Sequence, residues 1–114
     1  MDWIELTTQE QLQGIANASH PVLIFKHSTR CSISVMAKNR LDEHAINSSF
    51  ELPCYYLDLL KYRELSDSIT NQYKVYHESP QVLLLAAGEC LYDASHQEIR
   101  GAEIDEQLEL IYKH

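Results

Sequence analysis

Four consecutive apolar residues, Val22-Leu23-Ile24-Phe25, follow Pro21 and give way at once to the polar residues 26–34. A run this short, with neither a helical period nor an alternation, fits a strand covered on both faces, as in the middle of a parallel or mixed sheet. This run is the candidate central strand, and the rest of the chain must supply the layers that cover it.

Those layers are legible as periodicities. Residues 3–6 read as a short first strand, after which Thr7 and Glu10 have the spacing of a capping box that opens a helix with Leu12, Ile15 and Ala16 on one face, ending near Ser19. Beyond the polar segment, Ile33, Ala37, Leu41 and Ala45 recur every four residues as a helical stripe turned to a core. Residues 52–59 favour another strand, and Leu65, Ile69 and Tyr73 mark a third helix. Residues 81–86 and 89–93 flank Ala87-Gly88 as a hairpin, and Ile104, Leu108 and Ile111 give a last helix its apolar face. The predicted order is β-α-β-α-β-α-β-β-α. Parallel neighbours need crossovers and a hairpin adds antiparallel strands, so this order implies an α/β chain with a mixed sheet flanked by helices, the layout of a thioredoxin fold.

Composition narrows the function. The 114 residues suit one domain spanning 1–114, and no apolar run approaches the roughly 18 residues of a membrane span. A net charge of −8 without a Lys/Arg stripe disfavours nucleic acid and anionic membranes as partners. The first six residues lack the basic flank and long apolar stretch of a secretory signal, so the expected compartment is the reducing cytoplasm. Three cysteines, at 31, 54 and 90, form neither a disulfide framework nor a paired zinc set, and the six histidines are scattered, so no metal site is expected.

The chemistry is expected at Cys31, where the central strand passes into the second helix. Unpaired N–H groups and the positive end of the helix dipole stabilise a thiolate at a helix N-terminus, and Lys26, His27 and Arg30 precede it. Cys31 is therefore the candidate nucleophile. In Cys31-Ser32-Ile33-Ser34 a hydroxyl stands where a dithiol enzyme carries its resolving thiol; Ser34 can donate a hydrogen bond to the thiolate but cannot attack a mixed disulfide. Cys54 and Cys90 fall in predicted strands and read as core residues.

The stretch Lys26-His27-Ser28-Thr29-Arg30-Cys31-Ser32-Ile33-Ser34, with His77-Glu78-Ser79-Pro80-Gln81, resembles the monothiol bacilliredoxins of the bacillithiol system, although Arg30 and Ser32 stand where that family typically has threonine and proline. The resemblance implies a thiol-disulfide oxidoreductase in which Cys31 takes bacillithiol from a mixed disulfide with a client protein. It implies no tightly bound cofactor; bacillithiol or another low-molecular-weight thiol is a co-substrate, and thiolated proteins are the partners. It also implies a cis Pro80 facing the cysteine, with Ser79 offering backbone groups to an extended substrate. Arg30, Lys26 and His27 are then candidates to hold the carboxylates of an anionic thiol. Two other readings stay open. One is a redox-silent module that binds a partner in the groove around Cys31 and Pro80. The other is an iron-sulfur carrier like the monothiol glutaredoxins, against which Ser32-Ile33 replaces their glycine-phenylalanine pair.

Overall fold

The structure, a computed structural model, describes residues 2–28, 30–44 and 52–112. Thr29 and Ala45, both named above, lie outside the described residues. In chain order the elements are β1 (Trp3–Glu5), α1 (Gln9–Asn17), β2 (Val22–His27), α2 (Ser32–Glu43), β3 (Cys54–Asp58), α3 (Arg63–Tyr73), β4 (Gln81–Ala86), β5 (Glu89–Ser95), a 3-10 turn (His96–Glu98) and α4 (Gly101–Tyr112). The five strands form one sheet in the order β1-β3-β2-β4-β5. Strand β3 runs parallel to β1 and β2, while β4 is antiparallel to both β2 and β5.

Strand β2 lies at the centre, as its unbroken apolar run requires. Successive side chains of a strand point to opposite faces, and here each face has its own core. Val22 and Ile24 pack with Leu12 and Ile15 of α1 and Leu65 and Ile69 of α3. Leu23 and Phe25 pack on the other face with Ala37 and Leu41 of α2 and Ile104 and Leu108 of α4. Burying each such side chain contributes about 1.5–3 kcal/mol, so the sheet is clamped between two helical layers.

Three local expectations are corrected. The cap of α1 lies one residue later than its spacing suggested: Thr8 accepts from the Gln11 amide at 3.2 Å, and the Gln11 side chain accepts from the Thr8 N–H at 3.1 Å. Glutamine closes the box as glutamate would, which left two registers open. Second, Ile33 faces outward at 49% exposure, and Ser34 takes the buried position. The inner face of α2 follows Ser34, Ala37 and Leu41, at i, i+3 and i+7, which suits a 3.6-residue turn better than a strict spacing of four. Third, β2 extends two residues past its apolar run to include Lys26 and His27.

The hairpin forms as expected, with Ala87 at φ 51° and Gly88 at φ 79°; a two-residue turn with both residues at positive φ matches the twist of its strands. At the other end of β5, Arg40 of α2 binds the 3-10 turn, donating from Nη2 to the His96 carbonyl at 2.9 Å and from Nε to the Ile99 carbonyl at 3.2 Å. This contact fixes the turn beside α2.

Candidate functional site

Strand β2 delivers the chain to the head of α2. The Cys31 N–H donates to the Ser28 carbonyl at 3.2 Å, closing a tight turn, and the Cys31 carbonyl accepts from Val35 at 3.1 Å, beginning the helix. Cys31 is the N-cap of α2, with extended backbone angles of φ −106° and ψ 120°. Its sulfur stands where a capping oxygen ordinarily would, and it makes no closed capping hydrogen bond. Instead, the amides of Ser34 and then Ile33 turn toward it and hold its pKa below the ordinary thiol value. Slight desolvation opposes this effect, and the Ser34 hydroxyl adds the smallest favourable contribution. That hydroxyl is buried and makes no full hydrogen bond of its own. The backbone, more than Ser34 Oγ, lowers the thiol's pKa.

The Ser79-Pro80 peptide bond is cis. Gln81 pairs with Lys26, so Pro80 sits at the same end of the sheet as the β2–α2 turn that carries Cys31. Pro80 is buried and Ser79 half-buried. The segment before them is held from two sides. Gln81 Nε2 donates to the Tyr76 carbonyl at 2.8 Å, and His77 Nδ1 lies 3.3 Å from Ser66 Oγ and 3.4 Å from Lys26 Nζ.

Arg30 is exposed beside Cys31, but Lys26 and His27 do not join it. Both are shut away from solvent, which corrects the expectation that they meet a ligand. Lys26 points into the α3 side of the sheet, where Nζ donates to Thr70 Oγ1 at 3.3 Å; burial lowers its pKa to about 8 against a weaker pull from Asp67. His27 points to the opposite face, its ring 5.3 Å from Phe25 and 5.4 Å from Tyr56. Burial, and then the Lys38 charge, lowers its pKa. The cause is the added length of β2: both side chains enter faces already covered by helices.

The two other thiols lie at the far end of the sheet. Cys54 is in register with Leu23, and Cys90 pairs with Leu85, itself opposite Val22. At about 3.3 Å per residue, those positions are ~13–17 Å along the sheet from the end of β2. A disulfide needs Cα atoms within about 7 Å, so neither thiol reaches Cys31 in this fold. Burial pushes Cys54 up to about 12 and Cys90 up to about 11. Among the described residues, no group of three His, Cys, Asp or Glu side chains is placed to hold a metal ion, and no helix is long and apolar enough to cross a membrane.

Two concavities that no local sequence pattern marks are lined by residues close to Cys31 in the chain, Ile33 in one and Arg30 in the other. One, about 350 Å³, lies between α2 and the 3-10 turn and is lined by Ile33, Met36, Arg40, His96 and neighbouring residues. Ile33 and Met36 are three residues apart on the exposed side of α2, whereas a period of four from Ile33 to Ala37 places Ile33 toward the core. The other, about 420 Å³, is lined by Arg30, Asp58, Leu60 and Lys61. Its members are distant in sequence, and only the pairing of β2 with β3 brings them together.

A cysteine at the head of the helix after the central strand, with a cis-proline opening the next antiparallel strand, on this mixed sheet, defines the thioredoxin-fold class. Solved structures agree. A candidate oxidoreductase with a thioredoxin fold is 28% identical, with a TM-score of 0.81 and 92% of each chain covered. Two thioredoxins share the fold at lower identity. That of Malassezia sympodialis is 9% identical with a TM-score of 0.75 over 96% of this chain and 90% of its own. That of Trypanosoma brucei brucei is 13% identical with a TM-score of 0.73 over 99% and 93%. Within this class, residues 4–104 match the family described as monothiol bacilliredoxin BrxC, and the chain belongs to that family.

Proposed function

We propose that the protein removes bacillithiol, or a closely similar low-molecular-weight thiol, from mixed disulfides on client proteins in a reducing cytoplasm, with Cys31 as nucleophile. One observation carries the reading. The thiol whose pKa is lowered stands at the head of α2 with a hydroxyl, Ser34, in the resolving position, while the other two thiols lie at the opposite end of the sheet. Such a site can open a mixed disulfide but needs an outside thiol to be regenerated.

In the first step the Cys31 thiolate attacks the bacillithiol sulfur of the mixed disulfide. A Cys31–bacillithiol disulfide forms as the client–bacillithiol bond breaks, and the client sulfur leaves as a thiolate that takes a proton from solvent. A second bacillithiol thiolate then attacks the adduct, releasing the Cys31 thiolate and bacillithiol disulfide. The peptide groups of Ser34 and Ile33 favour Cys31 as an anion at both ends of the cycle. The backbone beside Ser79 and Pro80 offers an edge to the client chain, exposed Ile33 and Met36 offer it apolar contact, and Arg30 attracts an anionic thiol.

The test is intact-mass analysis of the reduced protein after incubation with a bacillithiolated client. The expected result is one bacillithiol adduct on the wild-type protein, matched by loss of the adduct from the client, and neither change with Cys31→Ser. If Cys31→Ser clears the client at the wild-type rate, the reading is wrong. A wild-type chain that forms no adduct and leaves the client modified would favour a redox-silent binding module.

A further inference from the structure

Resting on the exchange reading above, we propose that the cavity lined by Arg30, Asp58, Leu60 and Lys61 seats the non-reacting, carboxylate-bearing end of the small thiol, with Arg30 and Lys61 as its anion-binding pair. Arg30, the residue before Cys31, lines the cavity and ties it to the head of α2. Asp58, the last residue of β3, is in register with His27, and the Leu59 N–H donates to the His27 carbonyl at 3.0 Å. The turn after β3 is thereby fastened to the strand end that leads to Arg30 and Cys31. At about 420 Å³, the cavity falls within the roughly 300–1,000 Å³ of small-ligand sites.

The turn is held in shape before any ligand arrives. Asp58 Oδ1 accepts from the Leu60 and Lys61 amides at 3.2 and 3.4 Å, and the Asp58 carbonyl accepts from Lys61 and Tyr62 at 3.2 and 2.9 Å. The Asp58 carboxylate is thus engaged by backbone N–H groups, which reduces its repulsion of an incoming anion. Lys61 Nζ lies 5.4 Å from the centre of the Tyr62 ring, a contact that steadies a long cationic side chain.

The charges are what select the ligand. The chain has 17 acidic and 9 basic residues, so a cation has carboxylates in abundance to pair with. Lys38 is paired with Asp42, Arg40 donates to backbone carbonyls, and Lys26 is buried. Arg30 and Lys61, like Arg63, Lys74 and Arg100, make no ion pair among the described residues, but these two line one cavity at the turn that leads to Cys31. Guanidinium and ammonium groups left unpaired at a concave site suit one or two carboxylates, with the planar arginine able to bind in bidentate fashion. Leu60, 43% exposed, adds apolar contact for the ligand's carbon frame.

Two symmetrical disulfides test this: dithiodipropionate, a dianion, and hydroxyethyl disulfide, which is neutral. With either, the Cys31 thiolate forms one mixed disulfide and releases one probe thiolate, so the ratio of the two rate constants cancels any change in thiolate content. The wild-type ratio should favour the dianion, and Arg30→Gln/Lys61→Gln should lower it roughly tenfold, as expected for two solvent-exposed charge contacts acting together. The control is Lys74→Gly. Lys74 is the left-handed C-cap of α3, which leads ~16 Å away from the cavity, and glycine is favoured at such a position. An unchanged ratio in the double variant, or an equal fall in Lys74→Gly, would overturn the pocket while leaving Cys31 exchange intact. Inertness of Cys31 toward both probes would overturn the exchange reading and the pocket with it.

Discussion

Lys26→Met should make the protein more stable at neutral pH, although it removes two polar contacts. Lys26 is fully buried in the α3-side layer, facing Thr70, His77 and, at longer range, Asp67. Its pKa falls from 10.5 to about 8, chiefly through desolvation. At about 1.36 kcal/mol per pH unit, and discounted for partial solvent screening, carrying the proton costs the folded state about 2–3 kcal/mol. The lost hydrogen bonds offset about 1 kcal/mol of the relief, since His77 Nδ1 retains Ser66 Oγ. The net gain is about 1–2 kcal/mol at pH 7, or roughly 4–8 °C in Tm. The pH dependence has a definite sign. Below pH 8 both states of the wild-type chain hold the Lys26 proton and the full cost applies; from 8 to 10.5 only the unfolded state holds it, so wild-type stability rises relative to the variant. Urea unfolding at pH 7 and pH 10 measures both quantities. A variant less stable than wild type at pH 7, or a gap that does not narrow by pH 10, would refute the reasoning.

At neutral pH iodoacetamide should alkylate Cys31 and spare Cys54 and Cys90, because the first has a lowered pKa and the others are raised to about 12 and about 11; peptide mapping reads this directly, and prior labelling of either strand cysteine would contradict it. As the pH falls, the Cys31 rate should persist below the range of an ordinary thiol, and Ser34→Ala should move that profile upward only slightly, since the backbone amides contribute more than the hydroxyl. Cys54→Ala/Cys90→Ala should exchange disulfides at the wild-type rate, and a stopped-flow rate that fell would assign one of them a resolving role. Gly101→Ala should lower stability by about 1–3 kcal/mol by urea unfolding, although alanine is the better helix former. The new Cβ would collide with the His44 ring and Cβ, and His44 is held by Asp105 at 2.8 Å; a stabilised variant, or no rescue by His44→Gly, would refute the collision.

The sequence alone determined the element order, the central place of Val22–Phe25 and the position of Cys31 at a strand-to-helix junction. These follow from local rules of period, capping and turn chemistry that hold before any long-range contact forms. It also pointed to Ser34 in the resolving position and to Pro80 opening the next strand. The tertiary structure decided which side chains face the site. Lys26 and His27 have the composition of ligand-binding residues, yet β2 runs on through them and its two faces are covered, so each is buried in a different layer. Ile33 looked like a core residue because it lies four before Ala37, but the direction of α2 is fixed by what packs beneath Ala37 and Leu41, and that turns Ile33 outward and Ser34 in. Lys61 and Arg30 are separated by a helix and a strand, and only the register of β3 against β2 brings them to one cavity. Strand pairing and face coverage join residues far apart in the chain, and no local pattern encodes them.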